Sequence, residues 1–179
     1  IRNGEERFEE FIEVFQTLFE KIRGHARYET SSSLMIVTGD ILDKGLHMSA
    51  HAIQLLKIFV DGLTSLGNTI IIPGNHDDKK EVGSSKLDSL SAIFAHHKND
   101  NLYYLKQSGI YNFGKYLVFG HTSVIDKKLI KAEMIETTER QKIGIFHGMV
   151  DGKTKDKQGQ FLLRDCDFSI NDFTGYQKV

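Results

Sequence analysis

Leu34-Met35-Ile36-Val37-Thr38-Gly39-Asp40-Ile41-Leu42-Asp43 runs from four apolar residues straight into a loop that carries two carboxylates. The run at 34–37 is short, apolar and partly β-branched, as a buried parallel strand is. Thr69-Ile70-Ile71-Ile72 repeats the pattern, and Pro73-Gly74-Asn75-His76-Asp77 follows it directly. A helix is expected between them over Ser49 to Leu66, with Ile53, Leu56, Val60 and Leu63 on one face and Gly67 as its cap. Strand, loop, helix, strand, loop is the order of a crossover unit in an α/β sheet, and loops at the carboxyl ends of such strands are where active sites are built.

Outward from this unit, Phe8, Phe11, Ile12, Phe15, Leu18, Phe19 and Ile22 recur at helical spacing between Glu and Lys residues, which predicts an amphipathic helix from Glu5 to Ile22 with Gly24 at its end. A third helix is expected from Leu87 to Ala95. The second half reads as short strands: Leu102 to Leu105, Ile110 to Phe113, Tyr116 to Phe119, Ile143 to Phe146 ending on His147, and at least one more within Phe161 to Ile170. Asn112-Phe113-Gly114-Lys115 supplies a turn, and Asp151 to Gln160 a surface loop.

The chain has 179 residues with 40% hydrophobic content, enough to bury a core within one domain. Its 23 Lys and Arg against 24 Asp and Glu give a net charge of -1, so no global positive field marks it for nucleic acid, and any polyanion must be met locally. Cys166 is the only cysteine, which rules out an intrachain disulfide and fits a reducing compartment. The location expected is cytoplasmic, or nuclear in a eukaryote. No apolar run approaches the roughly 20 residues that cross a bilayer, so no membrane partner is expected.

Asp40 and Asp43 in one loop, and Asn75, His76 and Asp77 in the other, would meet if the strands are neighbours. Carboxylate, amide oxygen and imidazole form a mixed hard and borderline donor set suited to Mn²⁺, Fe or Zn²⁺, and a carboxylate such as Asp40 can bridge two ions. Gly39 and Gly74 allow sharp turns where each strand hands over its ligand, and Pro73, the only proline, stiffens the second.

Gly39-Asp40-x-x-Asp43 followed by Gly74-Asn75-His76-Asp77 resembles the second and third motifs of the calcineurin-like metallophosphoesterases, and Ile143-Gly144-Ile145-Phe146-His147-Gly148 fits the family's next ligand, a histidine at a strand end. The resemblance implies an α/β fold of two packed mixed β-sheets flanked by helices, here incomplete at both ends, and a centre of two divalent metal ions. It implies that Asp40 bridges the metals, that Asn75 binds one and that His147 is a further ligand. It also implies that His76 meets the substrate phosphate and assists the leaving oxygen, that Asp43 orients His76, and that Asp77 holds the loop. Lys44 sits where related protein phosphatases carry arginine and is expected to touch substrate, though as a weaker bidentate phosphate clamp.

Glu5-Glu6-Arg7-Phe8-Glu9-Glu10-Phe11-Ile12-Glu13-Val14-Phe15 is similar to the acidic, Phe-rich helix of SbcD-like DNA-repair nucleases, as are Gly39 to Gly45 and Ile145 to Gly148. This branch implies hydrolysis of DNA phosphodiesters at ends by a two-metal mechanism, with DNA, an SbcC-like coiled-coil ATPase and a homodimeric copy as partners. Two alternatives stay open: a phosphomonoesterase or protein phosphatase with the same site, and a non-catalytic interaction module with a degenerate one. The family's Asp-x-His motif is expected before Ile1 and its Gly-His-x-His motif after Val179. Residues 1–179 are thus read as one catalytic domain truncated at both termini and inactive by itself.

Gly120-His121-Thr122-Ser123 mimics the last motif but precedes His147 in the chain, so His121 is expected near the site without binding metal. His25, His47, His51, His96 and His97 lack ligand spacing and read as surface or partly buried residues, with His47 close enough to Asp43 to line a cleft. Lys127-Lys128 to Lys131 and Lys153 to Lys157 read as solvated faces, and the aromatic residues of the first helix as packing.

Overall fold

The computed structural model describes residues 1, 6–43, 49–77, 88–95, 99–151 and 167–179. They form two compact units, Ile1–Tyr104 and Leu105–Val179.

The first unit contains α1 (Phe8–Arg23), β1 (Leu34–Val37), α2 (Ala50–Leu66), β2 (Asn68–Ile71), α3 (Ser89–Phe94) and β3 (Leu102–Tyr104). The strands form a parallel sheet in the order β1-β2-β3. Leu34 lies opposite Asn68 and Val37 opposite Ile71, and the Ile72 N–H donates to the Val37 carbonyl at 3.1 Å. β1 and β2 therefore end level, and the loops that follow them leave the same edge side by side.

Ser49 caps α2 by accepting the Ala52 N–H on Oγ at 3.2 Å, so the expected start holds. The buried stripe of α2 is Leu55, Leu56, Val60, Leu63 and Leu66; full burial of a leucine such as Leu55 or Leu56 contributes about 1.5–3 kcal/mol. Ile53, expected on this face, stands at its margin in the first turn and is 43% exposed. α1 packs on α2 through Phe15, whose ring centroid is 4.9 Å from that of Phe59, and through Phe19. Phe19 fills the space of a missing side chain: a Cβ on Gly62 would lie 2.1 Å from its Cζ. Gly24 ends α1 in a right-handed conformation, donating its amide to the Glu20 carbonyl at 2.8 Å. β2 is buried as expected, whereas β1 is only half-buried, because it forms one edge of the sheet among the described residues.

The second unit holds β4 (Gly109–Phe113), β5 (Leu117–Thr122) and β6 (Gln141–Phe146) in a mixed sheet: β4 and β5 are an antiparallel hairpin, and β5 and β6 are parallel. Gly114, in the left-handed region at φ 57°, opens the turn between β4 and β5. Tyr116 belongs to that turn and not to the strand predicted for it. At the other edge of β6 the terminal segment adds a parallel bridge: the Gly144 N–H donates to the Lys178 carbonyl at 2.8 Å and the Gln177 N–H to that of Lys142 at 2.9 Å. Of the strand expected within Phe161 to Ile170, residues 161–166 lie outside the described residues, as does the surface loop at 152–160. Phe168 bridges Val150 and leads into a 3-10 turn, Ile170–Phe173. The α/β class stands, with a helix-flanked parallel sheet in one unit and a mixed sheet in the other. No helix among the described residues is long and apolar enough to cross a membrane.

Gly120 and Gly144 face each other in register on β5 and β6, and the Tyr176 ring lies across both. Tyr176 donates its hydroxyl to the Ile130 carbonyl at 2.7 Å, and burial raises its pKa to about 12, so it remains a donor at any ordinary pH. A Cβ on Gly120 would sit 1.8 Å from that hydroxyl oxygen. Gly120→Ala is therefore expected to destabilise the second unit by about 1–3 kcal/mol, the usual cost of overpacking, in urea denaturation. Adding Tyr176→Ala should recover part of the loss; strictly additive losses would contradict this packing.

Candidate functional site

The β1 loop opens on Gly39 at φ 87° and Asp40 at φ 53°. Two successive left-handed residues turn the chain sharply off the strand, and at Asp40, which has a Cβ, that conformation costs about 1 kcal/mol or more. Asp40 is held there from the β2 loop: its Oδ1 accepts the His76 backbone N–H at 3.0 Å. Gly74 makes this approach feasible, since a Cβ on it would lie 2.2 Å from both the Asp40 nitrogen and Oδ1.

Asp77 joins the same two loops from beneath and is fully buried. Its Oδ1 accepts the Leu42 N–H at 3.0 Å and its Oδ2 the Gly74 N–H at 2.9 Å. Its own N–H donates to the Gly74 carbonyl at 3.2 Å. Burial pushes its carboxyl above the ordinary aspartate range, and the charge of Asp40 adds to that rise, while the amide donors oppose it. The role of loop holder expected for Asp77 is thus visible as one carboxylate shared between two loops.

His76 is half-exposed, and its Nδ1 lies 3.1 Å from the Asp43 carbonyl oxygen and 3.9 Å from the Asp43 carboxylate. The expected pairing of Asp43 with His76 is present, but the closer partner is the backbone of Asp43. A carbonyl accepts only, so it selects the tautomer with the proton on Nδ1 and leaves Nε2 for a ligand. No side-chain pattern marks a carbonyl, which is why the sequence pointed to the carboxylate.

Asp40 and Asn75 are exposed at this edge. A carboxylate and an amide oxygen on adjacent loops are hard donors and fit a divalent cation such as Mn²⁺ or Mg²⁺. Among the described residues, no three His, Cys, Asp or Glu side chains converge into a group able to hold a metal. Lys44, His47, His96 and His97 lie outside the described residues. His147 follows β6 in the second unit and is half-buried. His25 and His51 keep their bland readings: His25 Nδ1 accepts the Arg27 N–H at 3.2 Å, and the His51 ring packs edge-on against Phe8. Lys127 pairs with Asp167 at 2.8 Å on an exposed surface.

His121 is fully buried in β5, its Nδ1 3.2 Å from the Ile145 carbonyl. Burial holds its pKa below the ordinary histidine value, against smaller opposing effects of that carbonyl and Asp126. The sign follows: between the lowered folded pKa and the unfolded value near 6.5, the unfolded chain binds the proton and the folded chain does not. The stability contributed by neutral His121 is present above pH 6.5 and is lost as pH falls. Denaturation midpoints taken from pH 7.5 to pH 5 should drop, and His121→Gln should flatten that part of the slope; an unchanged slope would place the proton elsewhere.

The family model described as Calcineurin-like phosphoesterase matches residues 4–166. An uncharacterised protein, R555, of Acanthamoeba polyphaga mimivirus is 31% identical over 183 residues, covering 97% of this chain. The chain spans 13% of the length of that viral relative.

Proposed function

The chain belongs to the calcineurin-like phosphoesterase family, and we propose from that premise that it is the catalytic part of a metal-dependent phosphodiesterase acting on DNA ends. One observation carries the phosphoesterase reading. The His76 backbone binds Asp40 while its imidazole is held by Asp43, so the carboxylate proposed to bind metal and the proposed acid-base group are tied together through one residue.

In this proposal Asp40 and Asn75 hold divalent metal, with Asp40 as the bridge between two ions. His147 is a further ligand, proposed on its motif alone. The metals, when bound, supply Lewis-acid activation of the phosphoryl group and of water. The chain's own residues do the rest. Asp43 fixes the His76 ring, and Nε2 in its protonated form donates to the departing oxygen, so that the leaving group departs neutral and not as an alkoxide. Asp77 keeps the two loops in register without touching substrate. Lys44 is proposed to meet a phosphate.

The choice of DNA rests on the similarity of the Glu- and Phe-rich first helix and of the loop motifs to SbcD-like nucleases. It is supported by a charge division in which the first unit carries the acidic excess and the second a basic one. An SbcC-like ATPase and a second copy of the chain are partners proposed on the same resemblance. A phosphomonoesterase or protein phosphatase is the second reading, favoured by Lys44 at the position where those enzymes carry arginine.

The full-length protein, assayed with Mn²⁺ on duplex DNA ends and on a small phosphomonoester, should cleave the DNA; hydrolysis of the monoester alone would refute the nuclease reading. Asp40→Ala should abolish both metal binding and turnover. His76→Ala should keep the metals, measured by elemental analysis, and lose about 10²–10⁴-fold in turnover. Activity retained by Asp40→Ala would remove the bridging assignment.

A further inference from the structure

We propose that the tip of the β4–β5 hairpin, Lys115 and Tyr116 together with Arg140, is a stacking site for a base of single-stranded nucleic acid and its flanking phosphates. Tyr116 is 67% exposed, unlike the phenylalanines of α1 that pack as core. The turn needs only Gly114 at its left-handed position; nothing in its backbone requires an aromatic residue two places later. The side chains around Tyr116 form a cationic setting. Lys115 Nζ lies 5.5 Å from the centroid of the Tyr116 ring, in the range of a cation–π contact. The guanidinium of Arg140 is fixed beside the hairpin by donating from Nη1 to the Asn112 side-chain oxygen at 2.6 Å. The Gln141 N–H donates to the Tyr116 carbonyl at 2.9 Å, which ties the Arg140 segment to the turn.

The arrangement fits a nucleic-acid strand better than a simple anion. Glu139 is exposed next to Arg140, so the group carries a net charge of only about one, too little to gather phosphate by field alone. An exposed ring supplies the second term, since stacking on an aromatic side chain is insensitive to base identity and is worth a factor of roughly ten or more per base. Lys115 and Arg140 then serve the phosphates next to the stacked base. Away from its ends a duplex buries both faces of every base in its own stack, so within a strand the site requires unpaired bases.

The site also has a defined relation to β6. Gln141 is the first residue of β6 and His147 follows its last, so the hairpin tip lies about 20 Å along the strand from His147 at the usual rise per residue. A strand held at Tyr116 is anchored away from His147. The inference rests on the nuclease reading for its biological sense, but its binding test does not.

The test is fluorescence anisotropy of a labelled oligothymidylate with the purified chain in EDTA at low salt, where no cleavage occurs. Wild type and Tyr116→Phe should bind within about two-fold of each other, and Tyr116→Leu roughly ten-fold or more weaker. Lys115→Gln with Arg140→Gln should reduce the salt slope of log K by about 1.4, two phosphates at roughly 0.7 each. A relaxed circular duplex, which has no terminal base face, should bind no better to wild type than to Tyr116→Leu. Binding of the oligothymidylate by Tyr116→Leu equal to wild type, or no binding by wild type, would overturn the proposal. Mn²⁺-dependent cleavage by the full-length protein is read separately: wild-type binding without cleavage leaves the stacking site standing and removes the nuclease reading. Cleavage that persists while Tyr116→Leu binds unchanged removes the stacking site alone.

Discussion

Two backbone amides from different loops, those of Leu42 and Gly74, end on the two oxygens of one buried carboxylate, that of Asp77. Parallel pairing of β1 with β2 brings the loops out at one edge, but pairing alone would leave them free to diverge after Ile72. The carboxylate removes that freedom. It can do so only while buried, because in water each amide would find a solvent partner and the link would be worth little. Burial is also what raises the Asp77 pKa, so the same desolvation that strengthens its hydrogen bonds opposes its ionisation.

With the loops fixed, the unfavourable features of the site become affordable. Asp40 adopts a left-handed conformation that an L residue avoids, and it lies against Gly74 with no room for a side chain between them. Neither would persist without surrounding structure to hold it. In return, Asp40, Asn75 and His76 reach the same edge from two segments more than thirty residues apart in sequence. Asp40 also accepts the His76 amide, which links the position of the proposed metal ligand to that of the proposed acid-base group.

The sequence was most informative where one residue type has one geometric use. Apolar runs located β1 and β2 to within a residue and the end of β6, which starts two residues earlier than expected at Gln141; Gly39 makes the turn expected of it, whereas Gly74 is required by the close approach of Asp40. It was less informative wherever the determinant is a backbone atom or a neighbour remote in sequence. The Asp43 carbonyl that holds His76 has no signature, and Ile53 matched the helical period of α2 yet stands at the margin of the buried stripe. β1 read as a buried strand because its residues are apolar; its half-exposure comes from its place at the sheet edge among the described residues, which composition does not encode. Tyr116 carried the β propensity of its neighbours, but Gly114 drew it into the turn. The pairing of Gly120 with Gly144 under Tyr176 depends on a strand register and a distant segment, and no local pattern announces it.

In the proposed centre, the Asp77 clasp creates a divalent-metal site from Asp40 and Asn75. Titration of the purified chain with Mn²⁺, followed by the loss of the free-ion electron paramagnetic resonance signal, tests it most directly when wild type and Asp77→Asn are compared at matched far-ultraviolet circular dichroism. Asparagine keeps the shape of the side chain but offers only one acceptor oxygen for the two amides. Wild type is expected to bind Mn²⁺ saturably, and Asp77→Asn at least about ten-fold more weakly, equivalent to roughly 1.4 kcal/mol. Equal affinity in the two proteins, or no saturable binding by wild type, would contradict the proposed centre.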